Sequence, residues 1–382
     1  MANLFLTPNK IITGEGALEL AASHIENLGT RALIVTDNMM VKLGNLEKIT
    51  KVLDKLNLKY EVYSEVNSEP TNVMVEKGKE IYKNSNCDFL ISLGGGSPID
   101  TMKAIGALIA HEGEISDFLG KIIENELPKM VAIPTTAGTG SEATQFTIIS
   151  DITKGVKMLL SGQVLIPNLA IVDPVFTMTA PPIVTAATGI DALTHAIESY
   201  TSRKSQPMSD SFAISAVKRI FKYLKIAYTQ GDNKEARTEM AIASLEAGIA
   251  FNNSSVTIVH GMSRPIGALF HVPHGLSNAM LLENCLNFAK DGCEEKLAQL
   301  AKAIGIENLG VKESAEAFIK EVSILCKDLK IMTLEEYGIE KEEFYEVLDK
   351  MAEDALESKS PLNTMKQPTK EDIIEIYKSL WG

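Results

Sequence analysis

Cysteine is sparse and scattered in this sequence: Cys87, Cys285, Cys293 and Cys326 show no C-x-x-C spacing. That excludes a thiolate metal ribbon and a disulfide framework, and points to reduced, packed thiols. Positive charge is also short. The chain has 37 Lys and Arg against 50 Asp and Glu, a formal charge of −13. Nucleic acid and anionic membrane surfaces are therefore not expected partners, because phosphate binding needs concentrated Lys and Arg. No stretch of about 18 uninterrupted apolar residues is present, so no membrane span is expected. The opening MANLFLTPNK lacks a basic start followed by a long apolar segment, so no signal peptide is evident. These absences together predict a soluble cytoplasmic protein. Internal repeats and low-complexity segments are missing as well.

What is there is length and alternation. Single cores stop growing at about 250–300 residues, and the chain has 382, of which 45% are hydrophobic. Two domains are expected. In the first half short apolar runs alternate with amphipathic helical stretches: a helix over 17–27, the strand RALIVT at 31–36, a helix over 40–56 and a strand at 60–66. A helix to about residue 84, the strand FLISLG at 89–94, a helix over 98–110 and the strand MVAIPTT at 130–136 follow. That alternation predicts a doubly wound parallel sheet. The segments TQFTIIS, VKMLL and LAIVD, within 144–172, read as a small antiparallel addition. Past Pro181-Pro182 the pattern turns helical, with stretches at 184–201, 208–229, 234–253, 275–289, 294–304 and 312–328 and two more at 341–355 and 370–380. The fold expected is an α/β parallel-sheet domain over 1–180 and an all-helical domain over 181–382.

The chemistry-bearing residues concentrate in the second half. Asp191 and His195 lie four apart in GIDALTHAIESY, on one face of a helix. His260, His271 and His274 follow in HGMSRPIGALFHVPHG, where Pro265, Gly267 and Pro273 are expected to prevent one uninterrupted helix. A helix end, a loop and a new helix near His274 are predicted instead. One Asp with two or three His suits a borderline divalent ion such as Fe(II), Zn(II), Mn(II) or Co(II). Each motif alone also fits a surface pair, a cap or a packed side chain. Spacing does not decide between His271 and His274 as ligand.

Two glycine-rich turns follow predicted strands of the first half: GGGSPID at 94–100 and PTTAGTGSEAT at 134–144. Glycine lets the backbone approach a pyrophosphate, and a helix N-terminus supplies N–H groups and a favourable dipole. Both turns belong at the carboxyl edge of the sheet, where ligands of parallel sheets bind. The first is not G-x-G-x-x-G. Asp37, ending RALIVT, can accept from a ribose 2′-OH, favouring NAD over NADP, or can cap the next helix. Lys157 in VKMLL can pair with phosphates or ribose, or be a solvated strand lysine.

GGGSPID, PTTAGTGSE, GIDALTHAIESY and the pair of histidines closing on FHVPHG, in that order and spacing, resemble the iron-containing (group III) alcohol dehydrogenases. The likeness spans nearly the whole chain. It implies metal ligands at Asp191, His195, His260 and His274, which places His271 outside the ligand set. It implies pyrophosphate contacts from Gly95, Gly96 and Ser97, with Asp100 in the same turn, and further nucleotide contacts from Thr135, Thr136, Thr139, Thr144 and Lys157. Asp37 matches the position tied to NAD preference. The implied architecture is that of dehydroquinate synthase, an N-terminal nucleotide domain and a C-terminal helical domain with the site in the cleft, and a homodimer or larger homo-oligomer. The chain departs from the family's H-A-M-A-H-P-L-G at HGMSRPIG, where Arg264 replaces a histidine considered for proton transfer; a guanidinium stays protonated and cannot take that role. Glu69 stands where many relatives have Asn before Pro-Thr.

The expected activity is reversible hydride transfer between NAD(H) and a small primary alcohol or diol, with Fe(II) as first metal and Zn(II) or Mn(II) permitted by the ligand set. His271 is the proton-relay candidate, with water through the ribose hydroxyls as the alternative. Phe146, Phe251 and Phe270 are apolar candidates for a short-chain pocket, although ordinary core packing is the stronger reading of each. Rival readings of the same architecture are a polyol dehydrogenase, a sugar-phosphate cyclase and a catalytically silent nucleotide binder. The cyclase is disfavoured by the few cations in 181–282, Arg203, Lys204 and Arg264 among them.

Overall fold

The structure is a computed structural model that describes residues 2–381. Strand β2 (Arg31–Thr36) is apolar from Ala32 to Val35 because it is buried on both faces. It lies in a six-stranded sheet with β1 (Lys10–Thr13), β3 (Lys59–Tyr63), β4 (Phe89–Gly94), β5 (Lys129–Pro134) and β8 (Leu169–Val172), in the order β1-β8-β5-β4-β2-β3. Every pairing is parallel. Successive residues of β2 point to opposite faces: Leu33 and Val35 enter one core with Leu90 and Met102, whereas Ala32 and Ile34 enter the other with Phe89 and Ile91. Helices α1 (Ala17–Ile25), α2 (Asn38–Lys42), α3 (Asn45–Lys55), α4 (Asn72–Asn84) and α5 (Gly96–Ala110) connect the strands. Strand order reverses between β2 and β4, so Asp37 and the turn after β4 both sit where ligands of such sheets bind.

Two expectations for this half need correction. LAIVD does not join the small antiparallel pair, which consists of β6 (Phe146–Asp151) and β7 (Val156–Ser161) alone; Leu169–Val172 instead pairs with both β1 and β5. Its four residues are all buried, the pattern of a central parallel strand rather than of a half-exposed hairpin. The helix expected over 40–56 is two helices, because Gly44 adopts φ 72 and stops the first.

The chain divides into two compact units, Leu6–Ala180 and the chain from Pro181 onward together with the residues before Leu6. The second unit is helical: α6 (Pro182–Thr201), α7 (Pro207–Thr229), α8 (Lys234–Asn252), α9 (Ile258–Phe270), α10 (His274–Ala303), α11 (Val311–Asp328) and shorter helices to Trp381. Helix α6 is buried on all sides from Gly189 to Thr201, packed by α7, α8 and α10. Where two helices were expected at 275–289 and 294–304, α10 runs through, kinked at Cys293 with φ −146.

The stretch from His260 to Gly275 is interrupted as expected, by a helix end at His271, a short loop and a new helix from His274, but the break falls past Pro265. Helix α9 passes through it and ends only at His271, whose φ of 55 closes the helix. A proline removes one backbone bond and disturbs the turn before it. The bond removed is the one to the Gly261 carbonyl; the next carbonyl, that of Met262, accepts from the Tyr377 hydroxyl at 2.7 Å, a tertiary contact on the same turn.

Glycine at 275 sets how closely α10 approaches α6. A Cβ there would lie 2.7 Å from the Ala187 carbonyl oxygen and 3.3 Å from Asp191 Cβ. A backbone carbonyl inside a helix cannot swing aside. Gly275→Ala should force the helices apart and lower stability by about 1–3 kcal/mol, read as a fall in the thermal unfolding midpoint. An unchanged midpoint would refute the close approach.

Candidate metal centre and glycine-rich turns

The centre is assembled by three helices. α6 contributes Asp191 and His195 one turn apart, both nearly inaccessible, α9 contributes His260, and the first residue of α10 is His274. Ligand atoms of Asp191, His195 and His260 all lie within 4.8 Å of one another. His274 Nε2 is 3.9 Å from Asp191 Oδ1, and His260 Nε2 is 3.7 Å from the same oxygen. The imidazoles of His195 and His260 stack with centroids 4.4 Å apart, and Phe251 covers the other side of His195 at 4.3 Å.

Two residues that sequence reasoning passed over orient this set. Glu198 Oε2 accepts from His260 Nδ1 at 2.6 Å, while Oε1 accepts from the Thr257 hydroxyl at 2.8 Å and the Val259 amide at 2.6 Å. With Nδ1 carrying the proton, His260 Nε2 keeps its lone pair and faces Asp191. Asn278, one turn beyond His274 on α10, donates through Nδ2 to Asp191 Oδ1 at 2.7 Å and lies 3.2 Å and 3.3 Å from Nε2 of His260 and His274. The signal was spacing: Glu198 is three residues past His195, and Asn278 four past His274.

Electrostatics keep the donors available. Burial by itself would raise the Asp191 carboxyl, but His195, His274, His260 and the Asn278 amide outweigh it and hold the group below its ordinary range. Burial, then the neighbouring His195 and His274, push His260 well below the usual imidazole range, so it stays neutral. His195 Nδ1 is buried without a hydrogen-bond partner among the described residues. A carboxylate, three imidazoles and an orphaned ring nitrogen fit a divalent cation of borderline softness.

The remaining sequence candidates fall in two places. His271 is exposed, and its ring makes no hydrogen bond or ring contact with the cluster among the described residues. Phe270 stacks on Phe344 at 5.4 Å. In the α/β unit the two glycine-rich turns lie against each other: a Cβ on Gly95 would meet Thr136 Oγ1 at 3.3 Å, and one on Gly96 would meet Thr139 Cγ2 at 3.0 Å. Ser97 is in the first turn of α5, and Thr135 donates its amide to the Gly94 carbonyl at 3.0 Å.

Several expected nucleotide contacts are engaged within the chain. Asp100 accepts from Ser141 Oγ at 2.6 Å and from the Ile148 amide at 2.9 Å. Thr144 accepts through Oγ1 and its carbonyl from Lys103 Nζ, which also reaches Ser141 Oγ and the Phe146 carbonyl. Burial lowers the Lys103 pKa to about 8 against the pull of Asp100 and Glu142, and raises Glu142 to about 7. Lys157 pairs with Glu69 at 2.7 Å, the residue at which the chain departs from the family pattern. Asp37 accepts from the Met40 amide at 2.9 Å and caps α2.

A doubly wound sheet with paired glycine-rich turns in one unit and a buried carboxylate–imidazole set in a helical unit fit an α/β enzyme that works with a cation. Family models agree at both ends. "Iron-containing alcohol dehydrogenase" matches residues 8–174 and "Fe-containing alcohol dehydrogenase family, C-terminal" matches residues 185–381. The chain is 34% identical to choline dehydrogenase of Bacillus subtilis over 98% of its length and 94% of the relative's. It is 35% identical to the NAD-dependent methanol dehydrogenase of Bacillus methanolicus over 99% of its length and all of the relative's. A solved 1,3-propanediol oxidoreductase superposes with a TM-score of 0.96 at 32% identity, covering both chains completely. The chain belongs to the iron-containing alcohol dehydrogenase family. It is an oxidoreductase of the alcohol dehydrogenase type. Among the described residues no helix is long and apolar enough to cross a membrane.

The contacts of Glu198 and Asn278 can be tested by metal affinity. Glu198→Ala releases His260 from its orientation, and Asn278→Ala removes the N–H donor that faces Asp191. Each should weaken divalent-cation binding roughly 10- to 100-fold, measured by titration against a competing chelator. Unaltered affinity in Glu198→Ala would show that His260 does not depend on Glu198.

Proposed function

We propose that the chain catalyses reversible, NAD(H)-linked interconversion of a small primary alcohol and its aldehyde, with Fe(II) bound by Asp191, His195, His260 and His274. The observation that carries this reading is the buried donor set, with His260 Nε2 presented as a lone pair by the Glu198 contact. A divalent cation held there supplies Lewis acidity toward the alcohol or aldehyde oxygen, and NAD(H) accepts or supplies the hydride. The donor set admits Zn(II) or Mn(II) on ligand chemistry alone.

The chain's own residues do the rest. Asp191 would stay ionised as the carboxylate that faces the cation, and His260, held neutral by burial, would offer Nε2 without adding charge. Gly95, Gly96 and Ser97, at the N-terminus of α5, suit the pyrophosphate, with Thr135, Thr136 and Thr139 on the adjoining turn. Asp100, Thr144 and Lys157 act one step back: Asp100 and Thr144 brace the second turn from within, and Lys157 is tied to Glu69. Asp37 spends one oxygen on capping α2, and its carboxylate disfavours a 2′-phosphate, supporting NAD over NADP. The NAD-dependent methanol dehydrogenase relative supports the same cofactor. His271, exposed at the end of α9, is retained as a proton relay toward solvent. A homodimer in the cytoplasm completes the reading.

The test is NADH oxidation with a short aldehyde, using chelator-stripped protein before and after anaerobic addition of Fe(II), with Zn(II) in parallel. Turnover should appear only with metal. His260→Ala or His274→Ala should lower kcat by about 10³-fold or more, the loss of several kcal/mol of charge stabilisation, while NADH binding followed by fluorescence persists. Full turnover in either variant sinks the metal assignment.

A further inference from the structure

Helix α9 carries a charge that the reaction as proposed does not use. Arg264 stands four residues beyond His260 in the same helix, and residues so spaced are neighbours on one face, with Cβ atoms about 5–6 Å apart. His260 points into the donor cluster, so Arg264 projects from the next turn of the face that presents it. The side chain is half-buried and makes no hydrogen bond or ion pair with any described residue.

That is an uncommon situation for a guanidinium. It stays protonated at neutral pH and offers five N–H donors in a planar fork. Withdrawing such a group from water without a partner is costly, and proteins ordinarily pair it. Neither Glu198, the carboxylate that acts on Arg264, nor Asp191 in the donor cluster pairs with it. Glu198 spends its oxygens on Thr257, Val259 and His260, and Asp191 accepts from Asn278 within the donor cluster. Electrostatic proximity is mutual: Glu198 acts on Arg264, and Arg264, after burial and the other two imidazoles, helps keep His260 neutral. An unpaired fork one helical turn from the reacting centre matches a planar or tetrahedral anion on the substrate itself.

We propose that Arg264 is a specificity-determining residue that selects short aldehydes and alcohols bearing an anionic end, a carboxylate or sulfonate a few bonds from the reacting carbon. This rests on the dehydrogenase reading above. The spacing limits the chain to a few carbons, because the two ends must reach Arg264 and the donor cluster together. In the reductive direction a hydride moves from C4 of NADH to the carbonyl carbon and a proton from water reaches the oxygen, giving the primary alcohol and NAD⁺. The anionic end is unchanged. Its role is to hold the carbonyl at the donor cluster.

The test uses the metal-loaded enzyme and three probes of similar length: 4-oxobutanoate, its uncharged methyl ester, and butanal. The wild-type protein should show kcat/KM for the acid about 10- to 100-fold above that for the ester, the contribution of one charge-assisted pair. Arg264→Gln should bring the acid-to-ester ratio to about 1, and Arg264→Lys should restore part of it, since an ammonium keeps the charge without the fork. A measurement on the unaltered protein covers the case in which a variant fails to fold: butanoate should inhibit butanal reduction competitively and butyramide should not. Reduction of all three probes with no preference for the acid, a preference that survives Arg264→Gln, or equal inhibition by butanoate and butyramide overturns the role of Arg264 and leaves the dehydrogenase reading intact. Failure to reduce any probe with any metal overturns both.

Discussion

The helical unit depends on one hydrogen bond made by a residue that is not a proposed ligand. Glu198, buried on α6, fixes the proton of His260 on Nδ1, and so turns Nε2 toward Asp191. The same carboxylate takes the amide of Val259 and the hydroxyl of Thr257 at the start of α9. One side chain thus sets both where α9 begins and which atom its histidine presents. Three imidazoles packed this closely would repel one another if protonated. Burial resolves this by keeping His260 neutral, and Asp191 remains the compensating charge.

A comparable device operates in the α/β unit. Lys103 is fully buried, and its ammonium is shared among Ser141, Thr144 and the Phe146 carbonyl. It clamps the second glycine-rich turn to α5, with Asp100 bonding from the same helix to Ser141 and Ile148. The turn is therefore held by buried polar contacts, and its backbone is left free to approach a phosphate. Polar residues that look like ligand contacts in sequence prove to be its braces.

Much of the architecture was legible in one dimension, for a physical reason. Parallel strands buried on both faces must be apolar throughout, so RALIVT and FLISLG announce themselves, and α6 is recognisable from Asp191 and His195 on one face. The failures share a cause. LAIVD has the same local character wherever it pairs, and only the choice of neighbours, β1 and β5, decided that it belongs to the main sheet. Pro265 signals a break locally, yet α9 continues past it to Phe270, and the expected helix end falls at His271. Glu198 and Asn278 lie one turn from His195 and His274, but a carboxylate or an amide at that spacing in a helix is common, and nothing local says which group it will bond. Their roles exist only once α6, α9 and α10 converge.

The element types, the sheet class, the glycine-rich turns and the set of side chains able to bind a cation are written along the chain, because they follow from periodicity, backbone freedom and donor chemistry. Tertiary structure alone decided which nitrogen of His260 faces the cluster, that Asp100 and Thr144 look inward, that Lys157 is tied to Glu69, and that Arg264 has no partner among the described residues. Those outcomes depend on which groups share a hydrogen or a counter-charge across long separations. Pairings of that kind are made by packing, and packing is not written in the spacing of residues along the chain.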